Sequence, residues 1–376
     1  MPATSTPDRL RVLFFGTYDV RTHPRVQALQ EGFRAAGDEV SECNVVLGLD
    51  TASRVRILKR PYLLPFFATR LLRAWLALWR RAGSLQRPDA VVVGYLGHFD
   101  VLLARRLFRG VPIALDHMIS AADTAIDRGN KPGLKTRLLS RLDRAALSAA
   151  DIPFVDTGEH LSLVPPELRA RTVVVPVGAP DYWFRSPVPA SDGPLTVAFF
   201  GLYTPLQGAP TIGAALALLP GADIDVTMIG TGQDLAATRA AASGNPRVSW
   251  RDWVDSAELP ALVATHDVCL GIFGTGPKGL RVVPNKVFQG AAAGCVIVTS
   301  DTPPQRAALG GVGILVPPGD PPALATALRE LAADRDRVSK LRHATYEHAV
   351  SAFRPATVVA PLRERLLSWP TRSSRP

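Results

Sequence analysis

The chain has 376 residues, 47% of them apolar and 20% charged, a globular balance that excludes long low-complexity tracts and suits two domains better than one. A formal net charge of +10 favours anionic partners such as nucleotides, phosphates and membrane surfaces. The three cysteines, Cys43, Cys269 and Cys295, each lie in or beside an apolar run, where Cys acts as a small buried hydrophobe, so neither a disulfide framework nor a metal site is expected of them.

The N-terminal MPATSTPDRL lacks a basic segment followed by an apolar one, and a cytoplasmic location is expected. Residues 1–8 and 368–376 read as loose ends. The first apolar run, RVLFFGTY (11–18), predicts a buried strand, and Val26, Leu29, Phe33 and Ala36 then repeat at helical spacing until Gly37. A further extended run, EVSECNVV (39–46), follows. The next segment, KRPYLLPFFATRLLRAWLALWRR (59–81), is aromatic and basic, and Arg70, Arg73, Arg80 and Arg81 interrupt any membrane-crossing span. Two readings stay open for it: an interfacial helix lying on an anionic membrane, or a buried helix whose arginines snorkel to water.

Short apolar strands follow at 89–97, 111–116, 152–157 and 172–178, each closed by Gly, Pro, Asp or Thr, as strands covered on both faces tend to be. RSPVPASDGP (185–194) reads as a linker. TVAFFGLY (196–203) then echoes the first strand nearly residue for residue, and a helix at 209–219 leads to DIDVTMIGTG (223–232). Strands at 267–273, 296–300 and 312–317 and a final helix at 355–368 complete the pattern. The expected fold is α/β, with two Rossmann-like doubly wound domains over 9–184 and 195–354. Their ligand is expected in a cleft where the carboxyl ends of the strands meet. Asp223 and Asp225 in DID stand at the start of a strand, away from that edge, which argues against a metal there.

Five ordered segments carry a more specific signal: FFGLYTPLQGAP (199–210), IGTGQDL (229–235), WVDSAELPALVATHDVCLGIF (253–273), PNKVFQGAAAGCVIVTSDTPPQRAAL (284–309) and VGILVPPGDPPALATAL (312–328). Together they resemble the donor-binding half of a retaining glycosyltransferase of family 4, with its B-type fold. The first half resembles the acceptor domain more loosely. The resemblance implies a nucleoside diphosphate sugar as co-substrate, no cofactor and no metal. It implies an acceptor that is a glycan, a lipid or a small molecule, and residues 355–376 returning as a helix and tail onto the first domain.

A diphosphate held without a metal needs backbone amides, helix N-termini and cations. Lys278, Arg281 and Lys286 stand at or just before a predicted helix start, with Asn285 between them, and form the expected anion site. By the resemblance, Gln289 takes the place of a glutamate that binds the ribose diol, and Arg281 that of an earlier glutamate. An amide can still accept from one hydroxyl and donate to another, at a loss of about 1 to 2 kcal/mol. Gln207 replaces a lysine aimed at the diphosphate, and Lys286 with Arg281 are expected to supply the missing charge. Gly201, Gly230 and Gly232 close strands at the ligand edge, and GAAAG (290–294) lets a helix lie close to the sheet. Trp253 and Val254 fall where the family contacts the nucleobase, although Trp253 reads first as a core residue.

In the first half, the amides of Gly16 and Thr17 are expected near the donor phosphate or the acceptor, and Arg25 in the first helical turn. Asp116 and His117 fall where the family has a polar residue beside the reaction centre. Asp127, Arg128, Asp156 and His160 are edge candidates without assigned roles. The implied chemistry is a front-face transfer that relies on charge stabilisation and orientation, in which Arg281 and Lys286 matter most for rate. The alternative is a degenerate member that binds a nucleotide or glycan without turnover. A sugar-nucleotide epimerase fits the second half poorly, and nothing beyond the net charge points to nucleic acid.

Overall fold

The computed structural model describes residues 9–20, 23–48, 62, 64–118, 120–127, 129–131, 133–187 and 193–370. Arg128, residues 1–8 and 371–376, most of 59–63 and residues 188–192 of the linker segment lie outside them. The chain divides into two compact units, residues 1–176 with 358–376 and residues 177–357. Each unit is built on one six-stranded sheet.

In the first unit the elements run β1 (Arg11–Gly16), α1 (Pro24–Ala35), β2 (Glu39–Asn44), α2 (Leu64–Ala82), β3 (Ala90–Val93), α3 (Asp100–Leu107), β4 (Ile113–Asp116), α4 (Ala121–Asp127), α5 (Leu134–Ala149), β5 (Ile152–Val155), α6 (Gly158–Leu163), α7 (Pro166–Arg169) and β6 (Val173–Val174). The strand order is β2-β1-β3-β4-β5-β6 and every pairing is parallel. Side chains alternate across the sheet. Val12, Phe14, Val92 and Phe154 pack with α1 on one face, while Leu13, Phe15, Val93 and Leu115 pack on the other with Leu78 of α2, Val101 and Ala104 of α3 and Ala146 of α5.

The second unit runs β7 (Leu195–Phe200), α8 (Ala209–Ala217), β8 (Ile224–Ile229), α9 (Leu235–Ala241), β9 (Val248–Arg251), α10 (Leu259–Ala264), β10 (Val268–Leu270), α11 (Asn285–Ala292), β11 (Val296–Ser300), α12 (Pro303–Leu309), β12 (Ile314–Val316), α13 (Pro321–Ala333) and α14 (Arg335–Ala352). Its strand order is β12-β11-β10-β7-β8-β9, again parallel throughout. Val197, Phe199, Met228 and Leu270 meet Ile212 and Leu216 of α8 and Leu324 and Leu328 of α13 on one face. On the other, Gly290 of α11 lies so close to β10 that a Cβ there would stand 2.6 Å from Cys269 Sγ. The small residues of GAAAG are therefore packing residues. All three cysteines are buried.

The boundary between units differs from the sequence reading, which carried the first domain to 184. Residues 177–184 belong with the second unit because their contacts are there. Ala179 N–H donates to Phe353 O at 3.0 Å, and Trp183 stacks on Phe200 with ring centroids 5.7 Å apart. Arg185, at the start of the linker segment, donates its N–H to Ala292 O at 2.9 Å. The last helix, α15 (Pro355–Leu367), buries Val358, Val359, Leu362 and Leu366 in the core of the first unit. There Arg363 grips Asp38 through bonds of 2.7 and 3.0 Å, and Asp38 in turn accepts the N–H of Leu10.

Candidate functional site

Both sheets place loops at the carboxyl ends of their strands, and the two edges are furnished differently. At the second sheet, β7 ends at Gly201 and β8 at Gly230. Gly230 has φ of +119° and a Cβ on it would fall 2.0 Å from Gly201 O, so only glycine lets these two strand ends meet. A Cβ on Gly232 would likewise strike Tyr203 O at 2.4 Å. Chain packing thus accounts for both glycines. Gly201 is different, because the nearest atom to its missing Cβ is Lys286 Nζ, at 3.4 Å.

Lys286 is the second residue of α11 and is only 4% exposed. Its side chain turns inward from the basic loop that precedes it. Its ammonium stands 3.6 Å above the centre of the Phe199 ring and donates to Gln207 Oε1 at 2.5 Å. Among the described residues this is its one hydrogen bond, although an ammonium has three donors. Burial pushes its pKa down to about 7. The side chain thus lies beside Gln207.

Three residues further on, Gln289 is 5% exposed, and its side-chain amide makes no hydrogen bond among the described residues. The amide keeps some access to solvent, and it lies on the same short helix as Lys286. Asn285 is the first residue of α11, whose cap residue, Pro284, offers no side-chain acceptor. Lys278 precedes and Arg281 ends a 3-10 turn, Gly279–Arg281, just before it, both half-buried. Trp253 corrects the sequence reading: it is 70% exposed, and Trp250 in the edge strand β9 packs on the core instead. Val254 beside it is half-buried. Asp223 and Asp225 both pair with Arg247, each at 2.9 Å, at the start of β8.

At the first sheet the polar groups are engaged with one another. Thr17 donates both its amide and its hydroxyl to Asp100 Oδ2, each at 2.8 Å, so the amide expected to meet a phosphate is already used. Gly16 pairs in register with Asn44 inside the sheet. Asp116 also departs from expectation. Its carboxylate accepts from Arg25 Nε at 2.8 and 3.1 Å, in an ion pair that is almost wholly buried. Arg25 is held in turn by Val175 O and Pro176 O and lies over the Phe154 ring. Burial pushes the Asp116 carboxyl up against the pull of this guanidinium. The pair ties α1 to β4 and to the end of the sheet, which is a structural task.

His117 is buried, and its ring meets that of His98 edge to face at 5.2 Å. Burial first, and His98 second, push its pKa down to about 4, so the imidazole is neutral at pH 7. His98, His117 and Asp143 bring their ligand atoms within 4.8 Å of one another, the spacing of a cation site. Asp143, however, is spoken for. Oδ1 accepts Ala121 N–H and lies 2.9 Å from His98 Nε2, and Oδ2 accepts Ser120 Oγ–H and Ala122 N–H, so the carboxylate caps α4. A metal would have to displace those bonds.

Beside this cluster lies a cavity of about 390 Å³ lined by His117, Ser120, Asp123, Asp143 and His160. The His160 ring is fixed by Asp156, Nδ1 to Oδ1 at 2.5 Å, and the His160 backbone N–H donates to the Thr157 hydroxyl that caps α6. Asp127 lies at the end of α4. Sequence reasoning passed over His98 and Asp100, although GHFD (97–100) closes an apolar strand at the same edge. A second signal stands beside them, for Leu96 is the one non-glycine residue among those described with positive φ, at +58°.

Residues 194–334 match the family model for glycosyl transferases group 1. The match lies within the unit that carries Lys286 and Gln289. No curated protein matches the chain. Among solved structures, sucrose-phosphate synthase from Thermosynechococcus elongatus is 15% identical with a TM-score of 0.71, over 94% of this chain and 97% of that one. The Anabaena protein HepE, in complex with UDP and glucose, is 15% identical with a TM-score of 0.67, over 96% and 100%. A UDP-forming α,α-trehalose-phosphate synthase from Burkholderia vietnamiensis is 12% identical with a TM-score of 0.65, over 97% and 98%. The chain has the two-domain B-type glycosyltransferase fold, with a glycosyltransferase group 1 match in its second half.

Proposed function

We infer that the protein transfers a hexosyl unit from a nucleoside diphosphate sugar to a hydroxyl acceptor, with retention of configuration and without a metal ion. The observation that carries this reading is Lys286: a buried ammonium with two unused donors among the described residues, reaching from α11 to the end of β7, beside the glutamine that stands where a diphosphate-binding lysine is expected. Its charge replaces the missing one from a different element. A diphosphate arriving there restores to the ammonium the anionic partner that burial denies it. Gln289, with an unbonded amide on the same helix, supplies a donor and an acceptor for the ribose diol. Arg281 and Lys278 add positive charge on the preceding turn, Gly201, Gln207 and Asn285 border the diphosphate, and Trp253 and Val254 are left for the nucleobase.

In the proposed reaction the acceptor oxygen bonds to the anomeric carbon on the face from which the diphosphate departs. The bond from that carbon to the phosphate oxygen breaks, and the acceptor proton passes to the leaving phosphate. Lys286 and Arg281 hold the charge that develops on that phosphate, which is where a transfer of this kind gains most. Neutral His117 beside the 390 Å³ cavity is the candidate to orient an acceptor hydroxyl. A structural neighbour binds UDP and UDP-glucose, so uridine diphosphate hexoses are the first donors to test.

The test is to incubate the protein with such donors in the presence of a chelator and follow release of nucleoside diphosphate and the anomeric proton of the first-formed sugar by NMR. Turnover giving the donor's own anomeric configuration is expected. An inverted product, or turnover that stops with the chelator, contradicts the reading. Binding without release would make the protein a non-catalytic nucleotide-sugar binder.

A further inference from the structure

We propose that the outer surface of the helix layer α2, α3 and α5 docks the protein peripherally on an anionic phospholipid bilayer. The inference stands on that surface and needs nothing from the transferase reading. The three helices lie side by side on one face of the first sheet, α2 against α3 and α3 against α5, with Leu78, Val101, Ala104 and Ala146 turned into the core.

Helix α2 has a second apolar row that no core covers. Leu72, Leu76 and Trp79, at i, i+4 and i+7, point one way and are 63%, 46% and 57% exposed. Arg73 and Arg80 run alongside them, also exposed. Snorkelling arginines on a buried helix explain the inward row of Ala74 and Leu78, but they leave this outward row unaccounted for. The same pairing recurs on α5, where Leu134 and Leu138, 74% and 53% exposed, border Arg137, Arg141 and Arg144. Helix α3, between them, adds exposed Arg105 and Arg106.

The layer carries no exposed carboxylate, because the only acids on these three helices, Asp100 and Asp143, are buried. Two of its arginines pair with acids outside it, Arg105 with Asp151 and Arg144 with Glu167, and the rest of the charge faces outward. A depression of about 420 Å³ between the ends of α2 and α3 is lined by Trp79, Arg80, Leu107 and Phe108.

Apolar rows with Trp, flanked by arginines and free of acids, suit the boundary between headgroups and acyl chains. Among the described residues no helix is long and apolar enough to cross a membrane, so the helices lie on the surface. A nucleic acid would use the arginines but leave the leucines in water, and a second copy of the chain would bring arginines against arginines.

The experiment is sedimentation of the full chain with phosphatidylcholine vesicles, with and without phosphatidylglycerol, at low and high salt. Binding to the anionic vesicles that falls with salt is expected. Arg73→Ser with Arg80→Ser should weaken it at least tenfold, since each arginine near an anionic surface accounts for roughly fivefold. Leu76→Ser with Trp79→Ser should weaken it by a similar factor. All four residues are exposed, so unchanged thermal unfolding of the variants is the folding control. No binding at low salt overturns the proposal. So does an apolar double variant that binds as well as the parent, which would mark a general polyanion surface, for which heparin or duplex DNA would compete. Self-association of the parent that Leu76→Ser abolishes would overturn it too, by showing a second copy on this face.

Discussion

The carboxyl edges of the two sheets start from nearly the same strand, RVLFFG and TVAFFG, and end in opposite states. At the first edge the charged groups answer one another. Asp116 has Arg25, Asp100 has Thr17 and Trp75, Asp143 caps α4, and His160 has Asp156. At the second edge, among the described residues, a buried ammonium has one acceptor for three donors, and the Gln289 amide beside it is open to solvent. Unmet hydrogen-bonding capacity in a buried place costs stability, which makes the second edge the better candidate for a ligand. The first edge is set largely by its own bonds; the second keeps donors to spare.

Breaking the first edge should show mainly in stability. Arg25→Ala leaves the Asp116 carboxylate buried and alone, and should destabilise the first unit by about 3 to 5 kcal/mol, read by chemical denaturation. A loss under about 1 kcal/mol would mean that the edge is less self-contained than its bonds imply. Lys286→Met should do the reverse. It removes a poorly satisfied buried charge, so stability should hold or rise, while nucleoside diphosphate sugar affinity drops at least tenfold, as expected for losing a charge-assisted bond worth about 1.5 to 3 kcal/mol. Calorimetry and thermal unfolding on the same sample separate the two effects.

Acidity sharpens the contrast. Lys286 has a folded pKa of about 7, below its ordinary value of 10.5, so the unfolded chain binds the extra proton between those values and Lys286 makes stability rise with pH across that window. A bound diphosphate favours the protonated form, so donor affinity should fall by up to tenfold per pH unit above about pH 7. His117 is lowered from 6.5 to about 4, so its contribution to stability is lost as pH falls from 6.5 towards 4, and it should add no limb to an activity profile between about pH 6 and 8. The smallest expected effect is Gln289→Ala, which should weaken donor binding roughly fivefold, about 1 kcal/mol, with little change in stability.

Much of the fold is legible in the sequence because buried parallel strands are continuous apolar runs; LFF, AFF and VIV announce themselves. The strand β9 escaped because VSWR alternates half-buried and exposed residues at a sheet edge. TVVVPVG pairs only over Val173–Val174, since Pro176 has no N–H to give. The unit boundary was misplaced because the contacts that claim residues 177–184, to Phe353 and Phe200, come from far along the chain.

The site was legible in composition but not in orientation. PNKVFQ places a lysine and an amide on one helix, but nothing local says that Lys286 turns inward over Phe199, a contact 87 residues distant along the chain from 286 to 199. In the first unit, Asp116 and Thr17 looked available because their partners, Arg25 and Asp100, are 91 and 83 residues away. Pairing at such separations is a property of the folded edge and leaves no pattern in a short window.

The measurement that tests the account most directly is calorimetric titration of uridine diphosphate glucose at about pH 8, in two buffers of different ionisation heat, for the parent chain and Lys286→Met. Lys286 is largely neutral there before the donor arrives, so the parent should take up close to one proton per donor bound and the variant none, with affinity at least tenfold lower. Equal affinity and equal proton uptake in the two proteins would contradict the assignment of Lys286 as the group that receives the diphosphate.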